Sequence, residues 1–173
     1  MIINNKLKPL SCLVLVFTFL FISGMQLSGQ KKVNISGGIG FAETLNIGMR
    51  YQVGNQSQIG LSIGIWPSSG DNWLMDWESF LSISGDFFYH FGDPSKFADM
   101  SPWYIRMGLD YIRINGESWD DNNLEFHLRF GRDFYFSEKV GISLDAGVAA
   151  FLINESGFTS VLPAYGASFF VRF

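Results

Sequence analysis

Apolar side chains recur at every second position along most of the chain after residue 30. In the stretch VNISGGIGF, for example, Val33, Ile35, Ile39 and Phe41 are apolar, and the residues between them are small or polar. Successive side chains of a strand point to opposite faces, so this alternation is typical of a β-strand with two chemically different faces. No run after residue 30 reaches the roughly 18 consecutive apolar residues of a membrane helix. The pattern therefore predicts an all-β chain.

The alternation predicts eight strands. They span residues 33–41, 45–53, 59–66, 80–91, 103–112, 124–136, 140–148 and 165–173. A soluble sandwich or barrel would bury the apolar face and expose the polar one, whereas a transmembrane barrel turns the apolar face to lipid and the polar face to its lumen.

The chemistry of the two faces favours the transmembrane arrangement. The apolar face is nearly uncharged, but the polar face carries charged residues at mid-strand positions. They are Arg50, Asp86, Arg106, Asp110, Glu125, His127, Arg129, Asp145 and Arg172. Aromatic residues collect near the strand ends, as in the two interfacial girdles of membrane barrels. We therefore predict an eight-stranded antiparallel up-and-down transmembrane β-barrel.

The lengths of the connections indicate which end faces outside. With both termini in the periplasm, the long polar connections 67–79, 115–123 and 154–161 lie outside, and 54–57 and 136–139 are tight inner turns. This asymmetry is typical of outer-membrane barrels. The segment 92–102 is a long inner turn and departs from the pattern.

The first 29 residues have the features of a secretory signal peptide. Lys6 and Lys8 precede the apolar run Leu10 to Ile22, which is too short for a comfortable membrane span, and small residues follow it. We expect cleavage after Gly29, leaving residues 30–173 as the barrel domain. The single cysteine, Cys12, lies in this segment, so the mature chain is expected to contain no disulfide.

Composition and charge agree with a membrane barrel and exclude one class of partner. Hydrophobic residues make up 47% of the chain and charged residues 16%, below the roughly 25% usual for soluble proteins. Removing residues 1–29 with Lys6 and Lys8 takes the formal net charge from −4 to −6. A nucleic-acid partner is not expected for so acidic a chain.

The last strand resembles the C-terminal recognition signal of Gram-negative outer-membrane proteins. It ends in Phe173 and has Val171, Phe169, Ala167 and Tyr165 at the alternate preceding positions. With its eight strands the chain resembles small OmpA/OmpX-type barrels. Its predicted mature start and long inner turn are similar to the outer-membrane β-barrel domain proteins of Bacteroidota, sometimes called PorT-like.

This resemblance implies a location in the outer membrane of a Gram-negative bacterium, among outer-membrane lipid. It also implies that the barrel-assembly machinery reads the last strand during insertion. It does not imply an activity, because the same fold supports adhesins, enzymes and pores.

The charged residues of the polar face would share a narrow lumen, since eight strands enclose just enough space for their own side chains. We expect them, with Asp133, to form ion pairs that fill the barrel, because an unpaired buried charge is strongly destabilising. Asp110 and His127 lie on adjacent strands and become neighbours in one register. No catalytic residue, metal site or cofactor is expected.

The expected role is structural or interactive, through outer loops that meet a surface partner or an inner turn that meets a periplasmic protein. The alternatives are a narrow small-solute channel, a lipid A-modifying enzyme and a soluble lipocalin-like barrel. An enzyme would need a histidine beside a nucleophile near the outer rim, and the chain offers only His90 and His127. The outer connections hold acidic residues and tryptophans, which are Asp71, Asp76, Glu78, Glu117, Asp120, Asp121, Trp73, Trp77 and Trp119.

Overall fold

A computed structural model of the chain describes residues 33–41, 44–66, 77–116, 120–153 and 161–173, and its regular elements there are all β-strands. The strands are β1 (Val33–Phe41), β2 (Thr44–Gln52), β3 (Ser57–Trp66), β4 (Trp77–Phe91), β5 (Trp103–Gly116), β6 (Asp120–Tyr135), β7 (Val140–Ile153) and β8 (Val161–Arg172). Within these ranges no helix is long and apolar enough to cross a membrane. The predicted signal peptide lies outside the described residues.

The eight strands form one closed antiparallel barrel in chain order. Closure is made by β8, which pairs with β1 from Asn34↔Arg172 to Phe41↔Tyr165. At the end of this seam Phe173 N–H donates to the Val33 carbonyl at 2.8 Å. Closure gives each described strand a hydrogen-bonded neighbour on both sides, which is what a spanning sheet needs where lipid offers no hydrogen bonds. The predicted fold class is confirmed.

The two faces of the sheet have the inverted polarity of a membrane barrel. On the outside, Ile47 is 71% exposed and Ile39 64%. In the interior, Asp110, Glu125 and His127 are completely buried. A barrel stable in water would hide the first group and expose the second. The outer surface therefore suits a hydrocarbon surrounding, and the fold is that of a transmembrane barrel.

The outer face is not wholly apolar. Among residues whose side chains the structure describes, Arg113 on β5 and Arg132 on β6 are exposed on the same faces as their apolar neighbours. Both lie toward strand ends, where a charge on the lipid face costs far less than at the bilayer centre.

The strands extend further at one end of the barrel than at the other. Val33, where β1 begins, and Phe173 share one end with the turns 53–56, 92–102 and 136–139. At the opposite end β4 to β8 extend further than the alternation predicted, so that β6 has 16 residues and β1 only 9. The prediction of a loop over 115–123 is wrong for most of that segment, because β5 extends to Gly116 and β6 begins at Asp120.

The reason is the composition of this outer hairpin. Asn115, Asp121, Asn122 and Asn123 are all polar, so both faces of the strand are polar beyond the apolar belt and no alternation remains to mark it. Loops 67–79 and 154–161 are shortened in the same way, by β4 starting at Trp77 and β8 at Val161. The remaining outer segments, with Asp71, Asp76, Trp73, Glu117 and Trp119, lie outside the described residues.

The long inner segment 92–102 folds back onto the barrel end. It begins at Gly92, whose φ of 89° suits glycine. Met100 is 1% exposed, and the Ser101 carbonyl lies 2.8 Å from His90 Nδ1. The Pro102 carbonyl accepts the Asp133 backbone N–H at 2.8 Å. This segment therefore covers part of the inner mouth of the barrel.

We predict that Ile47→Arg, near the middle of β2, destabilises the barrel by about 2–4 kcal/mol in phospholipid vesicles, because it places a charge in hydrocarbon. Ile47→Leu is the matched control and should change stability little. Urea unfolding followed by tryptophan fluorescence measures both. A soluble barrel would tolerate the arginine, so an unchanged or increased stability would contradict the membrane assignment.

Candidate functional site in the barrel interior

The interior is asymmetric. β1, β2, β3 and β8 point mostly glycine, serine and asparagine inward, whereas β4 to β7 point most of the charged side chains inward. The strands β1, β2, β3 and β8 are called here the small-residue wall. Among their described residues, the charged side chains that face inward are Arg50 and Arg172. Long side chains from one wall therefore reach across space that the other wall leaves open.

The first group of contacts centres on Asp86 and is called here the Asp86 cluster. Arg106 holds this carboxylate with two hydrogen bonds, Nε to Oδ1 at 2.8 Å and Nη2 to Oδ2 at 2.7 Å. His127 Nε2 approaches Asp86 Oδ1 at 2.8 Å, and its Nδ1 approaches Asp110 Oδ2 at 2.7 Å. Both ring nitrogens thus face carboxylate oxygens, an arrangement that an imidazolium with two N–H donors satisfies.

Asp145 extends this cluster to β7. Its Oδ2 accepts the Tyr104 hydroxyl at 3.0 Å and lies 3.8 Å from Arg106 Nη1. Its Oδ1 lies 3.4 Å from Arg129 Nη1. Gly166 stands opposite Asp145 in the register, and a Cβ there would be 2.9 Å from Asp145 Oδ1. The glycine on the small-residue wall therefore leaves room for this pair.

The second group, the Asp133 cluster, lies nearer the inner end. Arg50 on β2 reaches Asp133 on β6 across the lumen, with 3.5 Å between Nη1 and Oδ1. Ser143 Oγ donates to Asp133 Oδ1 at 2.6 Å, and the Tyr135 hydroxyl donates to Oδ2 at 3.3 Å. These contacts join three strands and span the barrel.

Arg172 on β8 ties the last strand into this cluster. Its Nε donates to Asn34 Oδ1 on β1 at 3.0 Å, and its Nη2 donates to the Tyr135 hydroxyl at 3.0 Å. The seam between β1 and β8 is thus held by a side-chain contact as well as by the backbone ladder.

Aromatic rings separate the two clusters. The Arg50 guanidinium lies 4.3 Å from the Phe88 ring centroid and 5.4 Å from that of Tyr104. Tyr104 lies over Gly131, where any Cβ would overlap its ring. Cations stacked on rings inside a low-dielectric interior are favourable, so these residues stabilise Arg50 and fill the lumen together.

Gly108 has a similar role in the Asp86 cluster. A methyl group there would overlap Asp86 Oδ1 and lie 2.8 Å from Cε1 of His127. A side chain at this position would therefore push the histidine and the carboxylate apart.

The outer part of the described lumen holds an apolar cluster beside buried polar side chains such as Asn123. Phe80 and Ile112 are buried and pack with Ile114 and Phe151. Below them a polar cavity of about 30 Å³ lies between the small-residue wall and the Asp86 cluster. This is enough space to hold water.

The structure places all nine predicted lumen residues in the interior, where the described contacts group most of them into two clusters. Asp86, Arg106, His127, Arg129 and Asp145 form one linked set, and His127 joins Asp110 to it. Glu125 is the cross-strand partner of Asp110 and is completely buried. Arg50 and Arg172 belong instead to the Asp133 cluster.

Sequence reasoning missed Phe88, Tyr104 and Tyr135 as parts of this site. A signal was present, because Phe88 stands at an even position between Asp86 and His90, in phase with the polar face. An aromatic residue in that phase indicates a ring pointing into the lumen.

Both histidines are held by polar partners inside the barrel. His90 lies at the inner end, with Nδ1 on the Ser101 backbone carbonyl and Nε2 at 3.1 Å from Gln58 Oε1. His127 is held between two carboxylates. In the described part of the chain, neither ring contacts a serine hydroxyl.

The residues of the resembled C-terminal signal lie on the lipid face. Tyr165, Phe169 and Phe173 are 59%, 49% and 63% exposed, and Val171 is half-buried on the same face. Their alternation faces outward along the seam with β1.

The fold and its filled interior define the class of small eight-stranded transmembrane barrels. A solved structure of this class is similar to the chain, namely the N-terminal β-barrel domain of Pseudomonas aeruginosa OprF. The match covers 84% of this chain and 100% of that domain, with 19% sequence identity and a TM-score of 0.59. Neisserial surface protein A (NspA) also matches, over 82% of this chain and 93% of its own, with 12% identity and a TM-score of 0.46.

Neither a protein-family model nor a curated protein sequence matches the chain. At 19% identity the likeness to the OprF domain shows the fold alone. The function therefore has to be argued from the interior and the surfaces of this barrel.

We predict that Arg106→Met destabilises the barrel by about 3–5 kcal/mol, because it leaves the Asp86 carboxylate without its bidentate partner. Adding Asp86→Asn should recover part of that loss, so the two effects should not add. Urea unfolding in detergent micelles measures the free energy of unfolding of Arg106→Met, of Asp86→Asn and of the double variant. Arg132→Met, on the outer face, is the matched control and should cost under about 1 kcal/mol. Simple additivity would show that the pair is not coupled.

Proposed function

We propose that the chain is an integral outer-membrane protein of a Gram-negative bacterium, with a closed lumen and a structural or surface-interaction role. The observation that carries this proposal is that two buried ion-paired clusters cross the lumen between non-neighbouring strands. A pathway for solutes would have to break them.

Closure is reinforced at both ends of the barrel. The Phe80 and Ile112 cluster occupies the outer part, and the segment 92–102 with buried Met100 covers part of the inner mouth. A polar cavity lies beside the Asp86 cluster, and charged side chains line it. Steady ion flow would require several charged side chains to move together, which their mutual contacts oppose.

The outer-membrane location is supported by the inverted faces and by the likeness to the OprF domain. A barrel whose lumen is filled acts through its surfaces. The strands of the β5–β6 hairpin project beyond the shorter β1 and β2 on the outer side, so we assign contacts with a surface partner to this end. The inner segment, with Phe97 45% exposed, is the corresponding surface for a periplasmic protein.

The proposal makes two testable statements, the first about location and the second about closure. The mature chain should be extracted from membranes only with detergent, and its gel mobility should shift when it is not heated. Extraction without detergent would instead favour the soluble lipocalin-like alternative.

We predict that the folded wild-type barrel gives no ion-channel steps in planar bilayers, because the clusters block the lumen. Arg129→Ala should either conduct or melt at a lower temperature, since it removes one partner of Asp145. Gly85→Ala, on the outer face where a Cβ meets only a Leu61 methyl at 4.0 Å, is the control and should do neither. Regular conductance steps from the wild type would favour the narrow-channel alternative.

We also propose that the C-terminal strand is read by the barrel-assembly machinery. Deleting Phe173 should slow insertion, while the inserted barrel keeps most of its stability, because Phe173 is 63% exposed and contributes to the β1–β8 seam only the last backbone hydrogen bonds, with Val33. Insertion assayed in membranes containing the machinery, with urea stability measured alongside, tests this. Unchanged insertion rates would argue against the role.

A further inference from the structure

Arg132 is a charged side chain on the lipid-facing surface of β6. It alternates in phase with Leu128, Phe130 and Phe134, which are all exposed. In the described strands, Arg113 is the other charge on an outer face, and it lies near the opposite end of the barrel. Arg132 is therefore a charge among apolar residues, and β6 does not need a charge at this position to form part of the barrel wall.

Aromatic rings hold the Arg132 guanidinium. Its carbon Cζ lies 4.7 Å from the Trp103 ring centroid and 5.0 Å from that of Phe134. Trp103 is the cross-strand neighbour of Arg132 and packs against Phe130, with 5.2 Å between ring centroids. The rings fix the side chain without using its N–H groups as conventional donors.

The guanidinium donors have no anionic partner among the residues that the structure describes. Among the described residues, none forms an ion pair or a hydrogen bond with the Arg132 side chain. By contrast, Arg50, Arg106, Arg129 and Arg172 all bind acceptors in the lumen. The two rings thus hold Arg132 in position, and its guanidinium N–H groups remain available to bind an anion.

The position of Arg132 along the strand corresponds to the edge of the apolar belt. β6 ends at Tyr135, so Arg132 lies roughly 8 Å from the strand end along the barrel axis, given strand rise and tilt. Trp103, Phe134, Phe136 and Phe173 are exposed at the same end. Aromatic girdles mark the depth of lipid headgroups.

We infer that Arg132 binds the phosphate of a phospholipid headgroup in the leaflet next to Phe173, with Trp103 and Phe134 orienting its guanidinium. The planar fork of arginine matches two phosphate oxygens, and such charge-assisted pairs are strong where water is scarce. The acyl chains of the same lipid would lie on the apolar face above, against Phe130 and Leu144, which are 50% and 46% exposed. The inference rests on the proposed membrane insertion.

The experiment compares wild type with Arg132→Gln, Arg132→Lys and Lys139→Gln, each folded in an uncharged maltoside detergent. Phosphatidylglycerol is titrated in, and lipid adducts are counted by native mass spectrometry. We expect one tight lipid on the wild type and about a tenfold loss of its affinity in Arg132→Gln. Arg132→Lys, which keeps the charge and loses the fork, should lie between them.

Lys139→Gln is the matched control. It removes a positive charge from an exposed turn at the same end of the barrel, and it should change the affinity by less than about twofold, because exposed charges are well screened. An equal loss in Lys139→Gln would mean that general charge attraction holds the lipid, which would overturn the assignment to Arg132.

A parallel titration with inorganic phosphate separates the two sources of the phosphate group. A phospholipid site should keep its adduct when inorganic phosphate is present at equal concentration. Displacement at equal concentration would indicate a site for free anions and overturn the inference.

The gel-mobility shift distinguishes the possible failures. A chain that neither needs detergent nor shows the shift contradicts the proposed function. A shifted, folded Arg132→Gln barrel that binds phosphatidylglycerol as tightly as wild type contradicts this inference alone. If Arg132→Gln does not fold, Arg132→Lys and Trp103→Leu replace it in the comparison. Unchanged affinity for phosphatidylglycerol in both of these variants would also contradict the inference.

Discussion

The need to pair every backbone N–H and C=O within the sheet is the constraint on which the rest of this structure depends. In hydrocarbon an unpaired backbone group has no water to bind, so the sheet must close on itself. Closure with eight strands fixes a narrow interior that only the protein's own side chains can fill. The pairing of β8 with β1 is therefore the cause of the crowded lumen as well as of the lipid-facing surface.

That crowding determines how the buried charges are arranged. Because β1 to β3 and β8 mostly bring small residues inward, arginines can cross the lumen and meet carboxylates on distant strands. Arg50 reaches Asp133 in this way, and Arg106 on β5 reaches Asp145 on β7 while it also pairs with Asp86 on the neighbouring strand β4. In the described interior, four arginines and His127 stand beside Asp86, Asp110, Glu125, Asp133 and Asp145. Positive and negative groups balance when the imidazole is protonated, so the interior resembles a neutral plug.

The outer surface of the barrel, unlike the interior, is nearly uniform in chemistry. A nearly continuous apolar belt needs no specific partner, since any lipid chain can cover it. Arg132 breaks that uniformity at headgroup depth, on a platform of Trp103 and Phe134. A lipid phosphate is the anion that the bilayer supplies at that depth, and it is the partner that we propose for this guanidinium.

Sequence alone determined the class of protein, because the period-two alternation is a local property and closure follows from the lack of any other way to satisfy the strands in lipid. It also identified the inward charges, since Asp86, Glu125 and Arg129 stand in phase with the polar face. It could not locate the strand ends beyond the apolar belt, where residues such as Asn122 and Asn123 make both faces polar. Only the tertiary structure decided which charges meet, because partners such as Arg50 and Asp133 come together through register, curvature and the absence of a side chain on the facing glycines.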